Sequence, residues 1–223
     1  MTYVRTDISL ALSGCKALLF DLDNTLVNTE IHHIRALSLA LQEKLGYSFT
    51  FADSQEYIGI TSTEMSRRIL ARVGRTDVQA EELSQRKHEL VMQAFSAQPY
   101  PGVREFLRAQ QGQRRLAIGS NSPREFVLSC LQRCGLLDCF CPIVSRGEVT
   151  SPKPAPDIFL RAAELLGVQP AECLVFEDSA AGLAAAQAGG FATVLVLNPG
   201  NPLPDPLPEA IPMLTWPQLL RAS

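Results

Sequence analysis

The chain has 223 residues, 46% of them hydrophobic, enough for one substantial domain or for a core domain carrying a smaller insert. A formal net charge of −3 and a pI near 5.7 exclude the basic footprint that nucleic acid or an anionic membrane surface requires. No run approaches the roughly 18 apolar residues of a membrane span, and the opening stretch MTYVRTDISLALSG lacks the long apolar segment of a signal peptide, so a cytoplasmic location is expected.

The first predicted element is KALLF (16–20), short, apolar and bounded by polar residues, which reads as a buried parallel strand. The pattern then changes for about seventy residues. TEIHHIRALSLALQEKLG places Ile34, Leu37, Leu41 and Leu45 on one helical face. STEMSRRILARV follows a Thr61 to Glu64 capping box and stops at Gly74, with Arg67 and Arg68 on a solvated face. A third helix covers 77–95. These helices read as an inserted all-α cap over 28–98, with Pro99 and Pro101 marking the return to the core, so that the core comprises 1–27 and 99–223.

Beyond the insert, RLAIGS (115–120), CPIVS (141–145), CLVF (173–176) and TVLVL (193–197) read as further buried strands. PREFVLSCLQRCG is a helix expected to open on a Ser122 to Glu125 capping box and to stop at Gly135. APDIFLRAAELLG ends at Gly167. SAAGLAAAQAGG starts on Ser179, its Gly182, Ala185 and Ala186 permitting close packing on the sheet. NPGNPLPDPLPEAIP holds six of the fifteen prolines and reads as an irregular surface connection without a functional role, before a short element around Trp216. The alternation of strand and helix predicts a doubly wound α/β, Rossmann-like core with parallel strands. The six cysteines contain no C-x-x-C pair, and small-hydrophobe behaviour is expected of them rather than a zinc site at Cys130, Cys134, Cys139 and Cys141.

Ligands of open parallel sheets bind beyond the carboxyl ends of the strands. Asp21 and Asp23 fall there, as do Ser120, Glu177 and Asp178, with Lys153 in the loop TSPKPAPD. Carboxylates meeting at one sheet edge repel unless a cation joins them, and oxygen donors of this kind suit Mg²⁺. A carboxylate can also attack phosphorus. Bringing it to a phosphate dianion costs up to about 8 kcal/mol at an effective dielectric near 20, a penalty that Mg²⁺ and Lys153 would offset. Ser120, Asn121 and the backbone N–H groups of SNS precede a helix start, which attracts anions.

Together these residues resemble the haloacid dehalogenase superfamily, specifically its capped phosphatases and the sugar-phosphate mutases of the β-phosphoglucomutase type. DLDNT (21–25) matches the nucleophile motif D-x-D-x-T, IGSNS (118–122) the second motif, KPAPDIF (153–159) the third and VFEDSAAGLAAAQAGG (175–190) the fourth. The resemblance implies that Asp21 is the nucleophile and Asp23 the general acid and base. It further implies that Thr25 and Ser120 position the nucleophile loop and phosphate, and that Lys153 neutralises charge. Mg²⁺ would be held by Asp21, the Asp23 carbonyl and Asp178, with Glu177 acting through metal-bound water. The implied substrate is a small phosphorylated metabolite, a sugar phosphate, taken by a monomer or weak homodimer. The cap would close over it through the loop YIGITS, with Gly59 and Ser62, and through the helix near His33.

Two departures stand out. Asn24 occupies a position often held by Gly, and Asn tolerates the same turn. Ser62 stands where the mutases carry an Arg that grips a second phosphate, although His33 has their counterpart. A hydrolase is therefore expected over a mutase. The non-enzymatic alternative, a silent phosphate-sensing or partner-binding protein of the same fold, is disfavoured by the complete set Asp21, Asp23, Lys153 and Asp178.

Overall fold

The computed structural model describes residues 8–57, 62–94, 96, 98–208 and 210–222. Its contacts divide the chain into Met1–Asn28 with Gln98–Ser223, and Thr29–Ala97.

The first unit begins with α1 (Ile8–Gly14) and β1 (Ala17–Phe20). The second unit follows: α2 (Glu30–Leu45), the short α3 (Phe51–Ser54), α4 (Ser62–Arg72) and α5 (Ala80–Ala94). Gly46, in the left-handed region at φ 64°, ends α2 by donating its N–H back to the last turn. Leu37, Ala40 and Leu41 of α2 pack with Ile69 and Leu70 of α4 and Leu83 of α5 around Phe49 and Tyr57. Leu37 and Leu41 are thus core as the periodicity predicts, Leu45 is half-buried against the cluster, and the alanines allow close helix approach. The capping residue Thr61 lies outside the described residues.

The first unit resumes with α6 (Val103–Gln110), β2 (Arg115–Ser120), α7 (Arg124–Arg133), β3 (Ile143–Ser145), α8 (Asp157–Leu166), β4 (Cys173–Glu177), α9 (Ala180–Ala188), β5 (Ala192–Val196), β6 (Met213–Leu214) and α10 (Trp216–Ala222). All six strands are parallel, in the order β3-β2-β1-β4-β5-β6. The direction of winding reverses between β1 and β4, so the crevice beyond their carboxyl ends is the expected ligand position.

Side chains alternate between two apolar layers. Ala17 and Leu19 of β1, Ala117 and Val175 pack beneath α8 and α9 with Ile158, Phe159, Ala162 and Ala185. On the other face Phe20 stacks on Phe176 with ring centroids 4.8 Å apart, and Phe106 of α6 and Trp216 of α10 close over both. The sequence reading did not include α6, although Val103, Phe106 and Leu107 recur at helical spacing. Nor did it include β6, whose two residues are too short to show a period.

The Ser122 to Glu125 capping box does not form. The N-cap of α7 is Pro123, whose ring has no acceptor for a cap bond, and the Ser122 hydroxyl one residue earlier donates 2.7 Å to a carboxylate oxygen of Asp23.

At the start of α9 Ser179 is the N-cap, accepting from the Gly182 N–H. Gly182 has a second duty: a Cβ there would lie 1.7 Å from Glu177 Oε1. The helix passes over the buried Glu177 carboxylate only because residue 182 has no side chain. Gly182→Ala should therefore displace Glu177 and destabilise the protein by about 3 kcal/mol, measured by urea denaturation, whereas Ala181→Ser on the same turn should stay near wild type.

Candidate active site

The sheet register delivers the acidic residues. Phe20 pairs with Phe176 in parallel, so the next residues along the two chains, Asp21 just past β1 and Glu177 at the end of β4, come side by side, and Asp21 N–H donates to the Phe176 carbonyl. Both are buried, as is Lys153, which arrives from the loop before α8. The Lys153 ammonium donates to Asp21 Oδ1 at 2.6 Å and to Glu177 Oε1 at 2.7 Å, and it lies 4.6 Å from the centre of the Phe159 ring. Glu177 Oε2 takes the N–H groups of Asp178 and Ser179 and the Ser179 hydroxyl. Both Glu177 oxygens are thereby engaged.

One ammonium serves several carboxylates. Burial, foremost, pushes the Asp21 carboxyl up to about 8, with Glu177 and Asp23 adding to the rise and Lys153 opposing it. Burial also holds Asp178 well above the usual carboxylate range, reinforced by the charges of Glu177 and Asp21. For Lys153, burial works against the ammonium, but Asp21 and Glu177 raise it above the ordinary lysine value. The centre is therefore short of positive charge, and its remaining donors are oxygens, which is the chemistry of a hard divalent cation site.

The structure limits which residues could hold such a cation. Among the described residues no three His, Cys, Asp or Glu side chains form a metal-holding cluster. Glu177 is committed to Lys153 and the α9 N-terminus, and Asp23 Oδ2 accepts from Ser122 at 2.7 Å and Ser120 at 3.3 Å. Side-chain donors from Asp21 and Asp178 remain, to which a main-chain carbonyl and water would be added. Few protein carboxylates plus water is the habit of Mg²⁺.

The other residues singled out in the sequence fall around this centre. Thr25 is fully buried and its hydroxyl donates 2.8 Å to Asp178 Oδ1, so it serves the acidic loop rather than presenting a donor to phosphate. Asn121 forms a reciprocal pair with the Lys153 main chain, Nδ2 to the carbonyl at 3.2 Å and Oδ1 from the N–H at 3.0 Å; its side chain ties two loops together. Ser120 is buried, and Ser122, read from the sequence only as a helix cap, shares Asp23 with it.

The connection read as irregular surface also reaches the site. Asn198 and Asn201, half-buried past the end of β5, donate to the main-chain carbonyls of Asn24 and Thr25. Nothing in the composition of NPGNPLPDPLPEAIP distinguishes these two asparagines from ordinary turn residues.

In the cap unit His33 is half-buried on the first turns of α2, and Gly59 lies outside the described residues. Ser62 accepts a hydrogen bond at 2.7 Å from the ammonium of Lys87, a buried residue of α5 that the sequence reading passed over. Arg67 and Arg68 are exposed and paired with Glu64.

Residues 15–190 match the family model described as haloacid dehalogenase-like hydrolase. The chain is 33% identical over 181 residues to fructose-1-phosphate phosphatase YqaB of Escherichia coli (strain K12), covering 79% of this chain and 94% of that protein. It is 31% identical over 196 residues to the beta-phosphoglucomutase of Bacillus subtilis (strain 168), covering 84% and 85% respectively. The fold matches the crystal structure of Rhodobacter sphaeroides CbbY in complex with xylulose-(1,5)-bisphosphate at a TM-score of 0.77, with 24% identity over 90% of this chain and 93% of that one.

The charge deficit has a measurable sign. A carboxyl held near 8 in the fold and near 3.9 in the unfolded chain keeps its proton in the folded state, so its contribution to stability falls as pH rises between those values. In metal-free buffer Asp21→Asn should melt above wild type by a margin that grows from about pH 6 to pH 8, and Mg²⁺ should shrink that margin by stabilising only wild type. Equal melting of the two proteins across this range would contradict it.

Proposed function

The chain belongs to the haloacid dehalogenase-like hydrolase family, and from that premise we propose that it is a Mg²⁺-dependent phosphomonoesterase acting on a small sugar phosphate through an aspartyl-phosphate on Asp21. The observation that carries this reading is the buried ammonium of Lys153 shared between the buried carboxylates of Asp21 and Glu177, next to the half-buried Asp178. Relatives named as a sugar-phosphate phosphatase and a sugar-phosphate mutase support the substrate class.

In this scheme an Asp21 oxygen attacks phosphorus, the bond from phosphorus to the ester oxygen breaks, and Asp23 gives that oxygen its proton. Asp23 then removes a proton from water, whose oxygen displaces Asp21 and releases inorganic phosphate. Ser120 and Ser122 hold Asp23 beside the nucleophile loop. Lys153 reduces the repulsion between Asp21 and the incoming dianion, and Glu177 fixes the direction of its ammonium. Mg²⁺, held by Asp21, Asp178 and the Asp23 carbonyl, would supply further electrostatic stabilisation of the transferring phosphoryl group.

One observation favours the mutase reading in part. Ser62 is neutral, yet Lys87 brings an ammonium to it. The cap therefore carries a cation next to the position where the mutases have Arg. Hydrogen bonds to charged groups contribute about 1.5–3 kcal/mol, enough to grip a polar sugar or an anionic substituent. We assign substrate choice in the cap to Lys87, Ser62 and His33, and retain the hydrolase because a single lysine lacks the bidentate fork of Arg for a second phosphate.

With β-glucose 1-phosphate, a trace of glucose 1,6-bisphosphate and Mg²⁺, the protein should release inorganic phosphate and form little glucose 6-phosphate. Excess chelator should silence it, Mg²⁺ should restore it, and folded Asp21→Asn should be inactive. Rapid conversion to glucose 6-phosphate without phosphate release would select the mutase. Separately, Lys87→Met should raise KM for sugar phosphates about tenfold or more, while kcat/KM for p-nitrophenyl phosphate should change little. A uniform loss on both substrates would place Lys87 in the cap's stability instead.

A further inference from the structure

We infer that Asn198 and Asn201 are positioning residues of the catalytic centre: from the connection after β5 they clamp the nucleophile loop and fix the plane of the Asp178 carboxylate. This inference deepens the phosphatase reading and rests on it for the roles of Asp21 and Asp178.

The need for a clamp begins in the backbone. Residues 24 and 25 follow the nucleophile beyond the end of β1, outside the named strands of the described residues, and buried carbonyls there must find donors other than a sheet ladder. Asn24 adopts φ 59°, the left-handed region that Gly enters freely and other residues enter at a cost. Three side-chain N–H groups converge on the two carbonyls. Asn198 Nδ2 donates to the carbonyls of Asn24 at 2.7 Å and Thr25 at 2.9 Å, Asn201 Nδ2 to Asn24 at 2.8 Å, and Trp216 Nε1 to Thr25 at 3.1 Å.

Asn201 does more than hold the loop. The same Nδ2 lies 3.3 Å from Asp178 Oδ2, while Thr25 donates to Asp178 Oδ1 at 2.8 Å. Each oxygen of Asp178 is thus held by one neutral donor, and both donors belong to the network that holds the nucleophile loop. The amide cannot turn over without loss, because Tyr100 donates its hydroxyl to Asn201 Oδ1 at 3.0 Å. Tyr100 is itself buried and anchored by its N–H on the Leu26 carbonyl. Tyr100, Asn201, Asn24 and Asp178 therefore form one unit in which the amide orientation sets the spacing between the acidic loop and the nucleophile loop. Neutral donors suit this position: they orient a carboxylate without removing the negative charge a cation requires.

The test compares Asn201→Ala, Asn198→Ala and Tyr100→Phe with wild type. Asn201→Ala should lower kcat and weaken Mg²⁺ binding, read by titration calorimetry on the metal-free protein, each by about 10- to 100-fold, with KM changed far less than kcat. Asn198→Ala, which touches only the loop, should lower kcat while leaving Mg²⁺ affinity within about threefold of wild type. Its amide hydrogen exchange over 21–27 in metal-free protein should rise about tenfold or more. Tyr100→Phe should follow Asn201→Ala in the same direction with a smaller effect, and it decides the matter should Asn201→Ala fail to fold. Asn201→Ala or Tyr100→Phe with unchanged kcat, Mg²⁺ affinity and exchange would overturn the inference. A wild-type protein inactive on every sugar phosphate would instead remove the phosphatase reading, and the exchange measurement would still judge the clamp.

Discussion

The structure is organised around one buried ammonium. Lys153 lies between Asp21 and Glu177, and the pair would not survive burial without both partners: desolvation of each ion costs several kcal/mol, repaid only by close, well-directed contacts. Other features follow from keeping that geometry. Gly182 leaves room for Glu177, the first N–H groups past β4 and Ser179 satisfy the far side of its carboxylate, and Asn121 pins the Lys153 main chain. The Phe159 ring offers its negative face to the ammonium while belonging to the apolar layer beneath the sheet. The buried ammonium is thus tied directly to the hydrophobic core through Phe159 of α8.

That arrangement leaves a deliberate imbalance. With Glu177 satisfied by Lys153 and the N-terminus of α9, burial and the neighbouring carboxylates oppose ionisation of Asp21 and Asp178, the strain that a cation beside them would relieve. Asp23 has different partners, since two serine hydroxyls, those of Ser120 and Ser122, donate to its Oδ2. Two carboxylates on one five-residue stretch are thus distinguished by their hydrogen-bond partners, Lys153 for Asp21 and the two serines for Asp23. Pairs of acids set apart by environment are the general means of running acid and base chemistry at one pH.

Much of this was legible in the sequence because it is periodic or local. Apolar runs ending in Asp, Ser and Glu mark strand ends, and the register of parallel strands turns those ends into neighbours; Asp21, Ser120, Glu177 and Asp178 follow from that alone. Lys153 was legible through its motif. Three kinds of information were not. The direction of a hydroxyl has no sequence signal, so Ser122 read as a cap although its bond goes to Asp23 across 99 residues. Thr25 likewise read as a loop or phosphate residue, whereas its partner is Asp178, 153 residues away. A buried lysine on a polar helix stripe looks solvated, so Lys87 was invisible until Ser62 was seen to receive it. In each case a polar side chain has several local uses, and only tertiary contact selects among them.

The asparagines after β5 show the same limit with a further consequence. A Gly at position 24 would enter the left-handed turn freely but would leave the loop more conformational freedom to lose on folding. Asn24 narrows that freedom at a steric cost, and the cost is tolerable only if the turn is held from outside. Asn198, Asn201 and Trp216 supply that hold through main-chain carbonyls, which are present whatever residue occupies 24 or 25. The turn at Asn24 and Thr25 is therefore held by a segment more than 170 positions away as well as by the residues of the motif itself. The motif supplies the carboxylates, and a proline-rich connection with no motif of its own supplies the amides that hold the main chain beside them.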